Sequence, residues 1–328
     1  MHKLRILYFT FDWSAYTYKP DHYFKQILAT QPDVHVHFTE QGGYLPEIIR
    51  NLDFTPDFIY IDNFTHNRRI NTLPTGLNEV NIPKGILLHD VQRRKDAFRS
   101  YLLSNDIDLI FVHYRDAFHK YFPELRNRLR WMPNHVYKPI FHKYKVKKTI
   151  DYLTMGRVNK LYPLRKEIVS KSRKLKGLII HEHPGYKSFT NEDKESLFLD
   201  EKYAEEICRA KMFLTCGSRY DFAVSKYFEV PACGTLLLAS NFSELTDLGF
   251  KDKKNFISIN KNNFLKKAKY YLEHEDERKK ISREGYKLVK SRHLTDIRVR
   301  EFVNELWNFL GNTTSERSLS IYDKGGQS

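Results

Sequence analysis

Ser225, Lys226 and Glu229 are residues of this sequence whose types and spacing could do chemistry together. They lie in TCGSRYDFAVSKYFEVPACGTLLLASN, residues 215–241. Residues four apart on a helix share a face, so a helix starting near Ser225 sets its hydroxyl and the Glu229 carboxylate on one side, with the charge of Lys226 beside them. A helix start presents unpaired N–H groups and partial positive charge, which suits a phosphate. A carboxylate one turn further on accepts two hydrogen bonds from a vicinal diol such as a ribose. Phosphate donors followed by a diol acceptor describe a nucleotide-diphosphate site. The same residues also suit plainer roles, Ser225 as an N-cap and Glu229 as a solvated helix residue.

The elements that must position them are read from the same stretch. Residues 212–216 are an apolar run ending at Gly217, 225–232 form a short helix stopped by Cys233-Gly234, and 235–239 form a second apolar strand. Strand, loop, helix, glycine and strand make one βαβ unit. The stretch SKYFEVPACGTLLLASNFSEL resembles the C-terminal signature of the group-1 glycosyltransferases, a Glu, seven residues, then a second Glu followed by small residues and Gly. Asp221 and Glu229 have that spacing, with Asp in the place of the first Glu. The run FEVPACG at 228–234 is similar to the spore-maturation-protein-like (spore-coat) branch, as is GYKLVKSRHLTDIRVREFVNEL at 285–306. The resemblance covers residues 150–310.

It implies a GT-B architecture, two Rossmann-like doubly wound α/β domains facing a cleft, and transfer of a sugar from a nucleotide-diphosphate sugar, with UDP as the expected nucleotide. Gly156, Arg157 and Lys160 follow the strand at 151–155. The family's first loop of the second domain supplies an Arg and a Lys to the donor diphosphate, which by resemblance are Arg157 and Lys160, although Leu161 replaces the Gly usual after the Lys. Glu229 would hold the ribose and Asp221 would sit near the sugar. Retention of configuration and independence of metal are implied too; the nucleotide sugar is a substrate, and no cofactor is expected.

His89 and Asp90 end the apolar strand at 84–90, at the carboxyl edge where parallel sheets bind ligands. By resemblance His89 contacts the transferred sugar. Asp90 is read as a base toward the acceptor, as the group that orients His89, or as the N-cap of a helix at 92–104. His113 ends the next strand in the same way. The first loop of the sheet carries Asp12, Trp13 and Tyr16 instead of glycines, which suits stacking on and hydrogen-bonding a sugar, or a loop packed by its own aromatics.

Strands alternate with helices along the whole chain, the pattern of parallel sheets. The expected division is a first, acceptor-side domain at 1–145, a nucleotide-sugar domain at 146–310 whose last helix crosses back to the first, and a flexible tail at 311–328. Its 328 residues are long enough for two cores. Met1-His2-Lys3-Leu4-Arg5 leads straight into a strand, so no signal peptide is read and a cytoplasmic location is expected. No apolar run approaches a membrane span. Cys208, Cys216 and Cys233 are too few and too scattered for a disulfide framework or zinc site. The net charge of +15 exceeds what one small ligand needs. It points to an anionic second partner: an acceptor polymer or protein, or peripheral contact with an anionic surface. Binding of nucleic acid through that surface, or epimerisation of a nucleotide sugar on the same fold, are the alternative functions; no helix-turn-helix, zinc or RNP pattern accompanies the charge.

Overall fold

The apolar runs become strands and the mixed stretches helices in a computed structural model that describes residues 3–64 and 73–323. The first part runs β1 (Leu4–Phe9), α1 (Pro20–Ala29), β2 (Val34–Thr39), α2 (Leu45–Arg50), β3 (Phe58–Phe64), β4 (Lys84–Leu88), α3 (Lys95–Ser104), β5 (Leu109–Val112), α4 (Arg115–Tyr121) and β6 (Leu129–Trp131). The second part runs β7 (Ile150–Met155), α5 (Pro163–Ser170), β8 (Leu178–His181), α6 (Asn191–Ser196), α7 (Asp200–Arg209), β9 (Ala210–Leu214), α8 (Lys226–Ala232), β10 (Leu236–Ala239), α9 (Glu244–Asp247), β11 (Ile257–Ser258), α10 (Phe264–Glu273), α11 (Glu275–Arg292) and α12 (Thr295–Asp323).

Among the described residues these strands form two sheets, β2-β1-β3-β4-β5-β6 and β11-β10-β9-β7-β8. Every pairing is parallel. Parallel strands are covered on both faces and so need unbroken apolar sequence. KGILL of β4 and LLLA of β10 are buried at every position. The order reverses between β1 and β3 in the first sheet and between β7 and β9 in the second. Crevices at the carboxyl ends of strands open at such reversals, so the loops after β1, β7 and β9 are placed to make a site.

Helix α12 crosses to the first sheet. Val299, Phe302, Val303 and Leu306 are buried with Leu4, Ile6, Tyr8 and Phe24, and Arg130 pairs with Glu305. The helix continues to Asp323, past Gly311, where composition alone predicts a flexible tail; a helix already anchored for four turns extends at little further cost. Residues 65–72 and 324–328 lie outside the described residues. Helix α3 starts at Lys95, not at 92, because Arg94 takes a left-handed conformation (φ 42°) before it. Asp90 is therefore not its N-cap.

Two polar seams join the halves beside the linker. The loop after β1 meets the loop after β8: the Thr17 hydroxyl donates to the Gly185 carbonyl (2.6 Å), the Phe189 N–H to the Ala15 carbonyl (2.8 Å), and Lys19 pairs with Asp200. On the other side Arg115 pairs with Asp247 (2.5 Å) and the Asp116 N–H donates to Glu244 Oε2 (2.9 Å).

Phe302 sits edge-on against Phe24 and Tyr60, so Phe302→Ala is expected to cost about 3–5 kcal/mol in urea unfolding. Glu244 gives a pH-dependent test. Its Oε1 has no partner, and burial pushes its pKa up to about 7 from 4.5. The native state thus keeps a proton that the unfolded chain releases, so this group's contribution is whole below pH 4.5 and is lost as pH rises through 7. Glu244→Gln should remove that decline, gaining on the order of 2 kcal/mol on the wild type between pH 4.5 and 7.5 in urea titrations at each pH.

Candidate functional site

The loop after β7 and the helix after β9 meet through a glycine. Gly156 has φ +123°, a conformation that a side chain disfavours. A β-carbon there would stand 3.0 Å from Cε of Lys226 and 3.1 Å from Nη1 of Arg165. Absence of a side chain thus lets two cations pack against the loop. Arg165 comes from the first turn of α5 and is 2% exposed. Its Nη1 donates to the Arg157 carbonyl (2.7 Å) and its Nη2 to the Thr215 hydroxyl (2.8 Å), while its guanidinium lies 4.3 Å from the centre of the Tyr162 ring. Nε has no partner. Among the described residues no carboxylate forms an ion pair with Arg165 or Lys226, and the Arg157 guanidinium lies over the Tyr186 ring, at 4.6 Å.

These three cations face one cavity of about 560 Å³, within the usual range for a small-molecule site. Ser225 and Glu229 share its wall. The Ser225 side chain makes no capping bond, so the N-cap role does not account for it. The N–H groups of Phe228 and Glu229 bond the Ser225 carbonyl; those of Ser225 and Lys226 bond nothing among the described residues and remain for a ligand. Glu229 accepts from the Tyr203 hydroxyl (2.9 Å), which leaves one carboxylate oxygen free. Burial raises its pKa, against Lys226 and the Tyr203 bond. Burial likewise lowers that of Lys226, opposed by Glu229 and assisted by Arg165. His183, across the cavity, falls to about 4 through burial and then through Lys226, Arg157 and Arg165.

The first part of the chain supplies the opposite wall. His89 and Asp90 stand there at the end of β4, with His113 at the end of β5. Asp90 is held by Arg93 Nε (3.2 Å). His113 is buried, donates through Nδ1 to the Met132 carbonyl (2.7 Å), and is pushed down to about 3 by burial and by His89. Trp13 is 5% exposed with an unpartnered Nε1–H, and Tyr16 packs on it at 5.2 Å between ring centres.

Residues 164–304 match the sequence model of a family described as glycosyl transferase-like. No curated protein matches the chain. Solved structures similar to it include HepE (Alr3699) of Anabaena in complex with UDP and glucose, at 10% identity and TM-score 0.66 over 93% of this chain and 100% of that one. Sucrose-phosphate synthase of Thermosynechococcus elongatus aligns at 12% identity and TM-score 0.66, over 95% and 100%. A glycosyltransferase from Rickettsia africae ESF-5 aligns at 10% and 0.61, also over 95% and 100%. The fold is GT-B.

Within this GT-B cleft the structure gathers Gly156, Arg157, Ser225, Lys226 and Glu229 on one side and Trp13, Tyr16, His89, Asp90 and His113 on the other. Three expected site residues fall outside the cavity wall. Lys160 is exposed beyond the loop. Asp221 is exposed at φ +58°, closing a turn onto Ser218, while its neighbour Phe222 turns inward and stacks on Tyr114 at 3.9 Å. Asp12 is exposed and accepts the Ser14 N–H (2.9 Å), ordering the loop itself. Arg165 and Tyr203 are the wall residues that sequence reasoning misses. Arg165 had one signal: it sits among the buried positions Leu164 and Ile168 of its helix, where a charge needs a reason. Among the described residues, no group of three or more His, Cys, Asp or Glu is placed to hold a metal ion.

Gly156→Ala tests how the wall is built. It combines a strained φ with a displaced Lys226 and Arg165, and is expected to lower stability by about 1–3 kcal/mol in urea unfolding.

Proposed function

We propose that this chain transfers a hexosyl unit from a UDP-sugar to an acceptor, with retention and without a divalent ion. The observation that carries the reading is the convergence of Arg157, Arg165 and Lys226 on one cavity, with Glu229 beside Lys226 but no ion pair to any of the three among the described residues. A buried cation with no ion pair, as Arg165 is, is costly, and a diphosphate is the anion that fits beside this group, within reach of the N–H groups of Ser225 and Lys226. Glu229 then lies one turn away with an oxygen free for a ribose diol. As the glycosidic bond breaks, negative charge grows on the leaving diphosphate, and fixed cations stabilise it without reorganisation. That is the role a metal would otherwise fill. His89 and Asp90 face the donor from the other domain, the first at the transferred sugar and the second toward the incoming hydroxyl.

UDP as the nucleotide is supported by the HepE complexes with UDP and UDP-glucose. Retention and the spore-maturation-protein-like branch rest on the motif at 228–234. A cytoplasmic location is part of the same reading; among the described residues no helix is long and apolar enough to cross a membrane. The charge that the donor leaves unused is displayed in a groove lined by Lys251, Lys254, Lys287, Lys290 and Arg292, which suits an anionic acceptor or surface.

Calorimetric titration with UDP, UDP-sugars and uridine tests the reading. UDP is expected to bind at least 100-fold more tightly than uridine. Lys226→Ala and Glu229→Ala should each weaken UDP about 10- to 100-fold while the unfolding midpoint stays near that of the wild type. Failure of the wild type to bind UDP or any UDP-sugar at millimolar concentration overturns the proposal.

A further inference from the structure

Asp21 stands in the first turn of α1 and is 4% exposed. Its Oδ2 faces Nε2 of His89 at 3.3 Å. The approach is not aligned as a full hydrogen bond, and neither atom has another partner. Both atoms are buried, whereas the His89 ring borders the cavity and its Nδ1 makes no hydrogen bond among the described residues. A second carboxyl, Asp62, is buried in the same polar cluster, with Oδ2 accepting from the hydroxyls of Tyr8 (2.9 Å) and Thr10 (2.9 Å). Two desolvated carboxyls in one cluster do not both ionise freely. Burial drives Asp62 far up, and Asp21 drives it further. Lys25 opposes burial on both carboxyls and the Thr10 and Tyr8 hydroxyls oppose it on Asp62, while His89 opposes it on Asp21 alone. Asp62 meets only neutral hydroxyls, whereas Asp21 faces an imidazole nitrogen, so Asp21 is the carboxyl placed to pair with His89.

From this geometry we infer that Asp21 is a positioning residue for the proposed sugar transfer, fixing His89 with its proton on Nε2 and its Nδ1 lone pair turned into the cleft. An ionised carboxylate can only accept, so it selects the Nε2–H tautomer. Nδ1 is then an acceptor for a sugar hydroxyl at the centre of the cleft. In His113 the roles are reversed: Nδ1–H is committed to the Met132 carbonyl, and its acceptor Nε2 is buried. The long 3.3 Å approach shortens when the cleft is filled, as polar contacts in empty sites commonly do. The inference rests on the transferase reading for its consequence, though not for the tautomer itself.

The experiment has two arms. In the first, long-range ¹⁵N–¹H spectra of the full chain report the His89 tautomer, assigned by its loss in His89→Ala. The wild type is expected to show protonated Nε2 and unprotonated Nδ1, and Asp21→Ala to lose that preference. An Nδ1–H tautomer in the wild type, or the same tautomer in both proteins, overturns the inference whether or not sugar is transferred. In the second arm, Asp21→Asn and Asp21→Ala should lower kcat about 10- to 100-fold, the range seen when the group that orients a working histidine is removed, with UDP affinity within threefold of wild type. Asp21→Ala should cost less than twofold in a His89→Ala background, because a group that works only through His89 has nothing left to lose. An equal loss in both backgrounds shows a merely structural role and sinks the assignment. Absence of any transfer by the wild type counts against the transferase reading and leaves the first arm to decide the placement of the proton.

Discussion

The Arg165 guanidinium is the tie on which the donor side of the cleft depends. It bonds the Arg157 carbonyl after β7 and the Thr215 hydroxyl after β9, so one side chain fixes the two loops that meet where the strand order reverses. Its charge is desolvated by Tyr162 and by the loop it supports, and those bonds run to neutral oxygens. Neutral acceptors satisfy the donors without cancelling the charge. Lys226 comes to the same place because Gly156 has no side chain. Like charges held this close repel, and each lowers the pKa of groups around it, His183 included. That is electrostatic preorganisation in the strict sense: the cost of assembling the charges is met by folding, before any ligand arrives.

The other domain must be held at the right distance for such a wall to matter. The contacts that do this mix polar seams, Thr17 to Gly185, Ala15 to Phe189, Arg115 to Asp247 and Asp116 to Glu244, with the Phe222 ring seated on Tyr114. Interfaces between domains of one chain are commonly of this kind, unlike a continuous apolar core. An apolar anchorage also lies elsewhere, where α12 returns to the first sheet through Phe302 and Leu306. Firm attachment at the back and hydrogen-bonded contact at the mouth leave the loops beside the cavity as the cheaper contacts to remake when a ligand enters.

The strands and most helices were legible because parallel sheets demand unbroken apolar runs, and this chain has them at inner strands such as β4, β5 and β10. The grouping on the second domain's wall was legible where hydroxyl, cation and carboxylate follow one another within a turn, as from Ser225 to Glu229. Failures came in two kinds. Lys160, Asp12 and Asp221 were chosen for charge and for standing beside a motif, but loop residues choose their direction by backbone geometry, which sequence does not show: Asp221 closes a turn at positive φ and Phe222 takes the inward place. Arg165 and Asp21 were passed over because each looks like one charge among many on a helix. Both in fact lie on the apolar face, Arg165 with Leu164 and Ile168, Asp21 with Phe24 and Leu28. A charge on a buried stripe is the rarer event and the more informative one.

The two walls also differ in sign. Apart from the exposed Glu182 and the pairs Lys19–Asp200 and Arg93–Asp90, the second domain's wall carries Arg157, Arg165 and Lys226 beside Glu229, which is held by Tyr203, and the first carries Asp21, His89 and His113. Heterolysis of a bond between a sugar and a diphosphate separates charge in that same sense, with positive character on the ring carbon and negative on the departing oxygen. A cleft polarised along that direction lowers the energy of the separated charges and does little for the neutral bond, which is the condition for favouring a transition state over a ground state. Two domains achieve this more readily than one. In a single site, cations and carboxylates so close together would pair and neutralise one another, whereas two sheets let Arg165 and Lys226 face the cavity from one side and Asp21 and His89 from the other.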